Sequence, residues 1–174
     1  MLVLLLVNFF QHKTLLPTFD VLFNNAGPSD TRITSDGIDC TFLRDPQKIK
    51  KFFTPKKTNA SIATLLFEFF EFYSEFEFGS KGISLFAAAG IWGKPDSSAM
   101  YIQNPLERHL NVARNVSREE IVRFKSECCS ALWKLETSLS GQESKATLKE
   151  LLLTPRLEKI IDSSRMSAKE LLKE

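Results

Sequence analysis

The residues best suited to chemistry lie in Tyr101-Ile-Gln-Asn-Pro-Leu-Glu-Arg-His-Leu-Asn-Val-Ala-Arg-Asn-Val-Ser117. Asn104, Glu107, Asn111 and Arg114 together offer a carboxylate acceptor, two amides and a guanidinium. A purine presents an exocyclic amine and ring-nitrogen acceptors, and a phosphate suits arginine, so this set could read a nucleotide. The same set allows a plainer reading, in which Glu107 and Arg114 pair with each other on the surface. Leu106, Leu110, Val112 and Val116 thread the stretch, so it should pack against the body of the protein.

Signals for bond-making chemistry are missing from the rest of the chain. Two-metal phosphoryl transfer needs acidic residues two apart on a strand, both facing the ions. Glu75 and Glu77 have that spacing but fall at the end of a helical pattern, and no acidic pair follows Gly79-Ser80. His12 and His109 lack the partners of a nucleophilic triad, and packing or surface roles fit both. Gly79-Ser-Lys-Gly82 does not complete a phosphate loop. The three cysteines, Cys40, Cys128 and Cys129, have no zinc-ligand spacing. Adjacent cysteines on one helix seldom bridge, and a reducing compartment is the simplest reading.

The elements that would position the reading stretch are mostly helical. Residues 1–12 form an apolar helix ending before Pro17. A signal peptide is the alternative there, but no basic residue precedes the run and no clean cleavage site follows. The run is also short of the roughly 20 apolar residues a membrane span needs. Residues 14–37 are rich in turn formers and should be loop with one short helical turn. Ile38–Leu43 is a short strand or an extended tether. Residues 46–58 carry Lys48, Lys50, Lys51, Lys56 and Lys57, either a phosphate-facing patch or a solvated linker.

Ala60–Phe76 is the clearest helix of the first half, capped by Asn59 or Ser61. Ile62, Leu65, Leu66, Phe69, Phe70, Tyr73 and Phe76 recur at helical spacing, with Glu68, Glu71 and Glu75 opposite. Ile83–Phe86 and Met100–Ile102 are strand candidates that could pair as a hairpin across a Gly- and Pro-containing loop. Ser117-Arg-Glu-Glu120 is a capping-box pattern that opens a helix to about Glu136. Its expected inner face is Ile121, Phe124, Cys128, Leu132 and Leu135. A linker at 137–146 and short helices near 147–152, 155–163 and 167–173 complete the reading.

With 174 residues, 43% hydrophobic and 25% charged, the chain has the make-up of a globular domain. A formal charge of +2 does not by itself indicate a nucleic-acid partner. Fifteen Phe against two Tyr point to an aromatic helical core.

Three linked motifs carry a resemblance. Leu65-Leu-Phe-Glu-Phe-Phe-Glu-Phe-Tyr73 with Phe76-Glu-Phe78, Tyr101-Ile-Gln-Asn-Pro-Leu-Glu107, and Asn111-Val-Ala-Arg-Asn-Val116 resemble the poly(A)-polymerase-associated region of template-independent nucleotidyltransferases. Leu15-Leu-Pro-Thr18, Asp39-Cys-Thr-Phe-Leu-Arg-Asp45 and Lys94-Pro-Asp-Ser-Ser98 are similar to its mitochondrial polyadenylating members. The resemblance covers roughly residues 1–136, with its core motifs in 60–136.

It implies a mainly α fold with a small β element, the helical central domain of a nucleotidyltransferase with the catalytic α/β domain missing. The parent enzyme would use ATP as substrate and Mg2+ or Mn2+ to extend an RNA 3′ end by adenylation, in mitochondria. The metal would find no ligands in this chain, so the chain alone should be inactive. Residues 1–136 would be a partial central domain and 137–174 a C-terminal helical tail. Glu107 matches the acidic base-reading residue of the family's D-P-F-E pattern, and Asn104 replaces that pattern's aspartate. Leu110 stands where uridine-adding members carry histidine, which favours adenine. Asn111 and Arg114 match N-V-x-R and would face the nucleotide or the RNA backbone. Two rival readings are a non-catalytic dimerising or RNA-binding scaffold and a terminal uridylyltransferase fragment. The implied partners are an RNA 3′ end, ATP and a second copy of the chain, with no membrane.

Overall fold

The computed structural model describes residues 1–86 and 91–139. It is mostly helical, with one small sheet. The helices are α1 (Leu2–His12), α2 (Phe19–Asn24), α3 (Pro46–Phe52), α4 (Ile62–Glu75) and α5 (Arg118–Leu139). Strands β1 (Lys81–Ile83) and β2 (Ile91–Gly93) lie between α4 and α5. The linker and helices expected beyond residue 139 lie outside the described residues.

The core is built where α1, α4 and α5 meet. On α4, positions 69 and 73 are one turn apart and both are buried, and the chain continues into buried Phe76 and Phe78. Phe9 of α1 meets Phe69 edge-on, with centroids 5.6 Å apart and planes at 86°. Tyr73 stacks on Phe78 at 6.1 Å. Such offset and T-shaped pairs add about 0.5–1.5 kcal/mol each beyond the area they bury. From α5, Ile121, Cys128, Ala131 and Leu135 are buried, while Phe124 and Leu132 are half-buried. The Tyr73 hydroxyl shares its one hydrogen between the backbone carbonyl of Leu5 at 2.7 Å and Asn8 Oδ1 at 3.0 Å. Asn8 is therefore a buried polar residue with a partner, and one tyrosine ties α1 to α4.

Local signals explain most boundaries. Ser61, not Asn59, caps α4: its Oγ accepts from the Thr64 amide at 3.1 Å. Ile62 was expected on the inner face but is 86% exposed, because the first turn of α4 runs past the core. The capping box of α5 closes in both directions, Glu120 N to Ser117 Oγ at 3.1 Å and Ser117 N to Glu120 Oε2 at 2.8 Å. The helix continues past Glu136 to Leu139. The lysine-rich segment is not all linker. Its first half is α3, capped by Asp45, whose Oδ1 accepts from Gln47 N at 2.8 Å, with Pro46 in the first turn. Residues 38–43 belong to no strand; Asp39 makes an isolated bridge with Ile33, and Leu43 N donates to Leu22 O at 2.9 Å, tying the segment to α2.

The expected hairpin needs correcting. The antiparallel partner of β1 is β2, with Lys81 opposite Gly93, Gly82 opposite Trp92 and Ile83 opposite Ile91. Ile83 pairs with Ile102 in parallel, through Ile83 N to Tyr101 O at 3.0 Å and Gln103 N to Ile83 O at 2.8 Å. The chain turns after Gly93 and comes back along β1 in the same direction as β1. Gly82 makes room for this return: a Cβ there would sit 3.3 Å from the Tyr101 ring.

Candidate functional site

The return segment delivers the 101–117 stretch onto the core. Met100 and Ile102 are fully buried and Tyr101 nearly so. Gln103 then bridges Asn111 in antiparallel fashion, and the Asn104 amide donates to the Leu110 carbonyl at 2.9 Å. Residues 104–110 are thereby closed into a tight loop. Inside it, Asn104 Oδ1 accepts from the amides of Leu106 at 2.9 Å and Glu107 at 3.2 Å, the side-chain turn that precedes many loop corners. Leu110 N donates to Glu107 O at 2.8 Å, so Leu110 and Glu107 are held at opposite ends of one short turn.

Asn111 is the fixed point below the loop. Its Nδ2 donates to Met100 O at 2.9 Å and to Ser98 Oγ at 3.1 Å. Its Oδ1 accepts from Ile102 N at 3.1 Å and Ala113 N at 2.9 Å. An amide has two donor hydrogens and two acceptor sites, so this side chain is fully engaged within the protein.

Glu107 and Arg114 are placed differently. Glu107 is half-buried and Arg114 is exposed. The ion pairs of the described residues are Lys13–Glu68 and Lys81–Glu77, so the surface pair that would have explained Glu107 and Arg114 does not form. Neither side chain bonds to another described residue, and both heads remain available. Leu110 is half-buried, and His109 beside it is exposed. Of the five residues singled out, Asn104 and Asn111 shape the loop, Leu110 contributes an apolar side chain, and Glu107 and Arg114 carry free polar groups.

Three supporting residues escaped the sequence reading. Gln103 accepts from Ser84 Oγ at 2.7 Å and donates through Nε2 to Arg108 O at 2.9 Å, which ties the loop to the residue that follows β1 and to its own far side. Arg108 lies 4.1 Å over the Phe86 ring, a cation–π contact that spends its charge on the loop flank. Ser98 positions the Asn111 amide while its hydroxyl also bonds Asp96 and Met100 O. The hydrogen bond from Ser98 holds the Asp96 carboxyl below its ordinary range. Ser98 and Gln103 fall within motifs that carry the resemblance and Arg108 within the 101–117 stretch, but nothing in their residue types marks these roles.

Among the described residues no group of three His, Cys, Asp or Glu could hold a metal ion. The described residues therefore do not by themselves fit the divalent metal that the resemblance implies for a parent enzyme. No described helix is long and apolar enough to cross a membrane.

No protein-family model matches the sequence. Among curated proteins it is 43% identical over 139 residues to the mitochondrial poly(A) RNA polymerase of Drosophila melanogaster, taking in 78% of the chain and 22% of that relative. Identity to the mitochondrial poly(A) RNA polymerase of Homo sapiens is 34% over 137 residues, with 78% of the chain and 22% of the relative covered. The chain thus spans less than a quarter of the length of these curated relatives. Among solved structures, mtPAP in complex with ATPγS superposes with a TM-score of 0.68 at 27% identity, covering 87% of this chain and 30% of that one. In both sequence and fold, the chain is a relative of the mitochondrial poly(A) polymerases, matching a part of them.

Proposed function

We propose that the chain supplies the base-reading wall of an ATP-dependent RNA 3′-end adenylating enzyme in mitochondria, as its helical central domain. The domain takes in residues 1–136, with the last turn of α5 running on to Leu139, and residues 140–174 lie outside the described residues. The observation that carries the reading is the pair of unpartnered heads, Glu107 and Arg114, on a loop fixed by Asn104 and Asn111. Glu107 accepts from the exocyclic amine of adenine, and Arg114 meets phosphate oxygens. Leu110 gives the base an apolar neighbour that cannot hydrogen-bond a uracil carbonyl. The relatives named poly(A) RNA polymerase support adenylation, and the solved mtPAP complexes with ATPγS, UTP, GTP and CTP support a nucleoside triphosphate as the ligand class. The described residues hold no cluster of three metal-binding side chains, and the reading assigned to the chain is nucleotide binding without transfer.

Titration of the full chain with ATP and UTP tests the reading. A charge-assisted hydrogen bond contributes about 1.5–3 kcal/mol, so Glu107→Ala should weaken ATP by at least about tenfold and leave UTP unchanged. Leu110→His should move preference toward UTP in the same titration. Equal ATP affinity in wild type and Glu107→Ala overturns the assignment. Incubation with ATP, magnesium or manganese and an RNA primer should give no extension; measurable tailing would refute the non-catalytic half of the proposal.

A further inference from the structure

A second cleft lies apart from the 101–117 loop, at the C-terminal end of α1. It has a volume of about 410 Å³, and its lining includes Lys13, Thr14, Lys56, Lys57, Thr58 and Glu68. Thr14 sits in the left-handed region, φ 58°, where the chain leaves α1, a conformation costly for a β-branched residue. That turn aims its carbonyl at the segment after α3, and Lys56 N donates to Thr14 O at 2.8 Å. The contact brings the second half of the lysine-rich segment against the helix end and forms one wall of the cleft. Thr58 Oγ1 accepts from Ala60 N at 3.0 Å, which leaves its hydroxyl hydrogen free to donate.

The charges in the cleft do not cancel. Lys13 Nζ lies 3.0 Å from Glu68 Oε2, and that ion pair neutralises one lysine. Lys56 and Lys57 are exposed, and neither has a carboxylate within ion-pair distance among the described residues. His12 also lines the cleft and faces the Phe72 ring at 4.9 Å. The result is a concave, open site with two uncompensated ammonium groups and a hydroxyl donor, which is what a phosphodiester requires.

We propose that this cleft binds the phosphodiester backbone of single-stranded RNA, as a holding site separate from the base-reading loop. The inference rests on the reading that the chain handles RNA, and it adds a site that the loop does not provide. Contacts here are to backbone phosphates, so binding is indifferent to base sequence and falls with salt.

The test is fluorescence anisotropy of the full chain with a labelled single-stranded RNA across a salt series. For single strands the slope of log affinity against log salt is about −0.7 per phosphate contact, so Lys56→Gln with Lys57→Gln should make the slope shallower by about 1.4. Affinity at low salt should drop roughly tenfold. Lys48→Gln with Lys50→Gln removes the same charge from α3, outside the cleft lining, and should leave the slope near wild type. Unchanged melting temperatures show that both variants fold. Equal effects from the two pairs, no effect from the cleft pair, or no RNA binding by the wild-type chain would each overturn the site. Displacement by polyglutamate at the same concentration as RNA would also overturn it, in favour of an acidic protein partner. The base-reading proposal is judged separately, by ATP affinity and Glu107, which the lysine variants leave untouched.

Discussion

Replacing Asn111 by alanine tests whether its amide is structural. The substitution removes four hydrogen bonds, and the consequence turns on what is left behind. The donors Ile102 N and Ala113 N belong to residues 0% and 1% exposed, so water cannot easily replace the lost oxygen. A buried donor without a partner costs about 1–3 kcal/mol. Two such donors give about 2–6, and because Asn111 itself is half-buried, the void admits some water and puts the estimate near 3 kcal/mol. That is a large share of the roughly 5–15 kcal/mol stabilising a typical domain. For a domain of this size it corresponds to a fall in Tm of about 10 °C. Asn104→Ala is the control. Its oxygen also serves two amides, but Leu106 is 39% exposed, so solvent takes over and the cost should stay near 1 kcal/mol. Urea denaturation followed by far-UV circular dichroism measures both. If the two variants lose equal stability, or Asn111→Ala loses less than about 1 kcal/mol, the amide does not anchor the loop.

Two further outcomes follow from the core. Burial pushes the Tyr73 phenol far above its ordinary pKa, so the folded state holds it neutral while the unfolded chain ionises near about pH 10. Its contribution is complete below that pH and is lost as pH rises beyond it; Tyr73→Phe should cost about 1–3 kcal/mol at pH 7, from the loss of the shared hydroxyl hydrogen, yet flatten the decline in Tm above about pH 10. Burial also pushes the Cys128 thiol up to about 11, whereas Cys129 beside it is exposed. At pH 8 a thiol reagent should label Cys129 promptly and Cys128 only on unfolding, and mass spectrometry of the labelled peptides would expose the reverse order.

The sequence made the strongest elements readable because they repeat one signal many times. In α4 the aromatic spacing, its opposing glutamates and the Ser61 cap agree, and in α5 the Ser117–Glu120 pattern closes as written. Where signals conflict, reading failed. The lysines of residues 46–52 hid a helix announced only by Asp45-Pro46, and Ile62 obeyed the helical period yet lies beyond the packed turns. The pairing of β1 could not be foreseen, because a run of three residues offers too little pattern to choose between Ile91–Gly93 and Tyr101–Ile102. At the site, sequence gathered five polar or selective residues in one stretch but could not tell an engaged amide from a free one. That distinction depends on Ser98, Met100 and Ile102 arriving beneath Asn111, which is a tertiary matter.

The parallel bridge from Ile83 to Ile102 gives the loop an unyielding foundation. Both isoleucines are wholly enclosed, so the segment above them cannot slide by a residue without dragging greasy side chains into solvent. Retuning what the loop recognises must therefore come from swapping side chains at its tip, since its backbone has no slack to give.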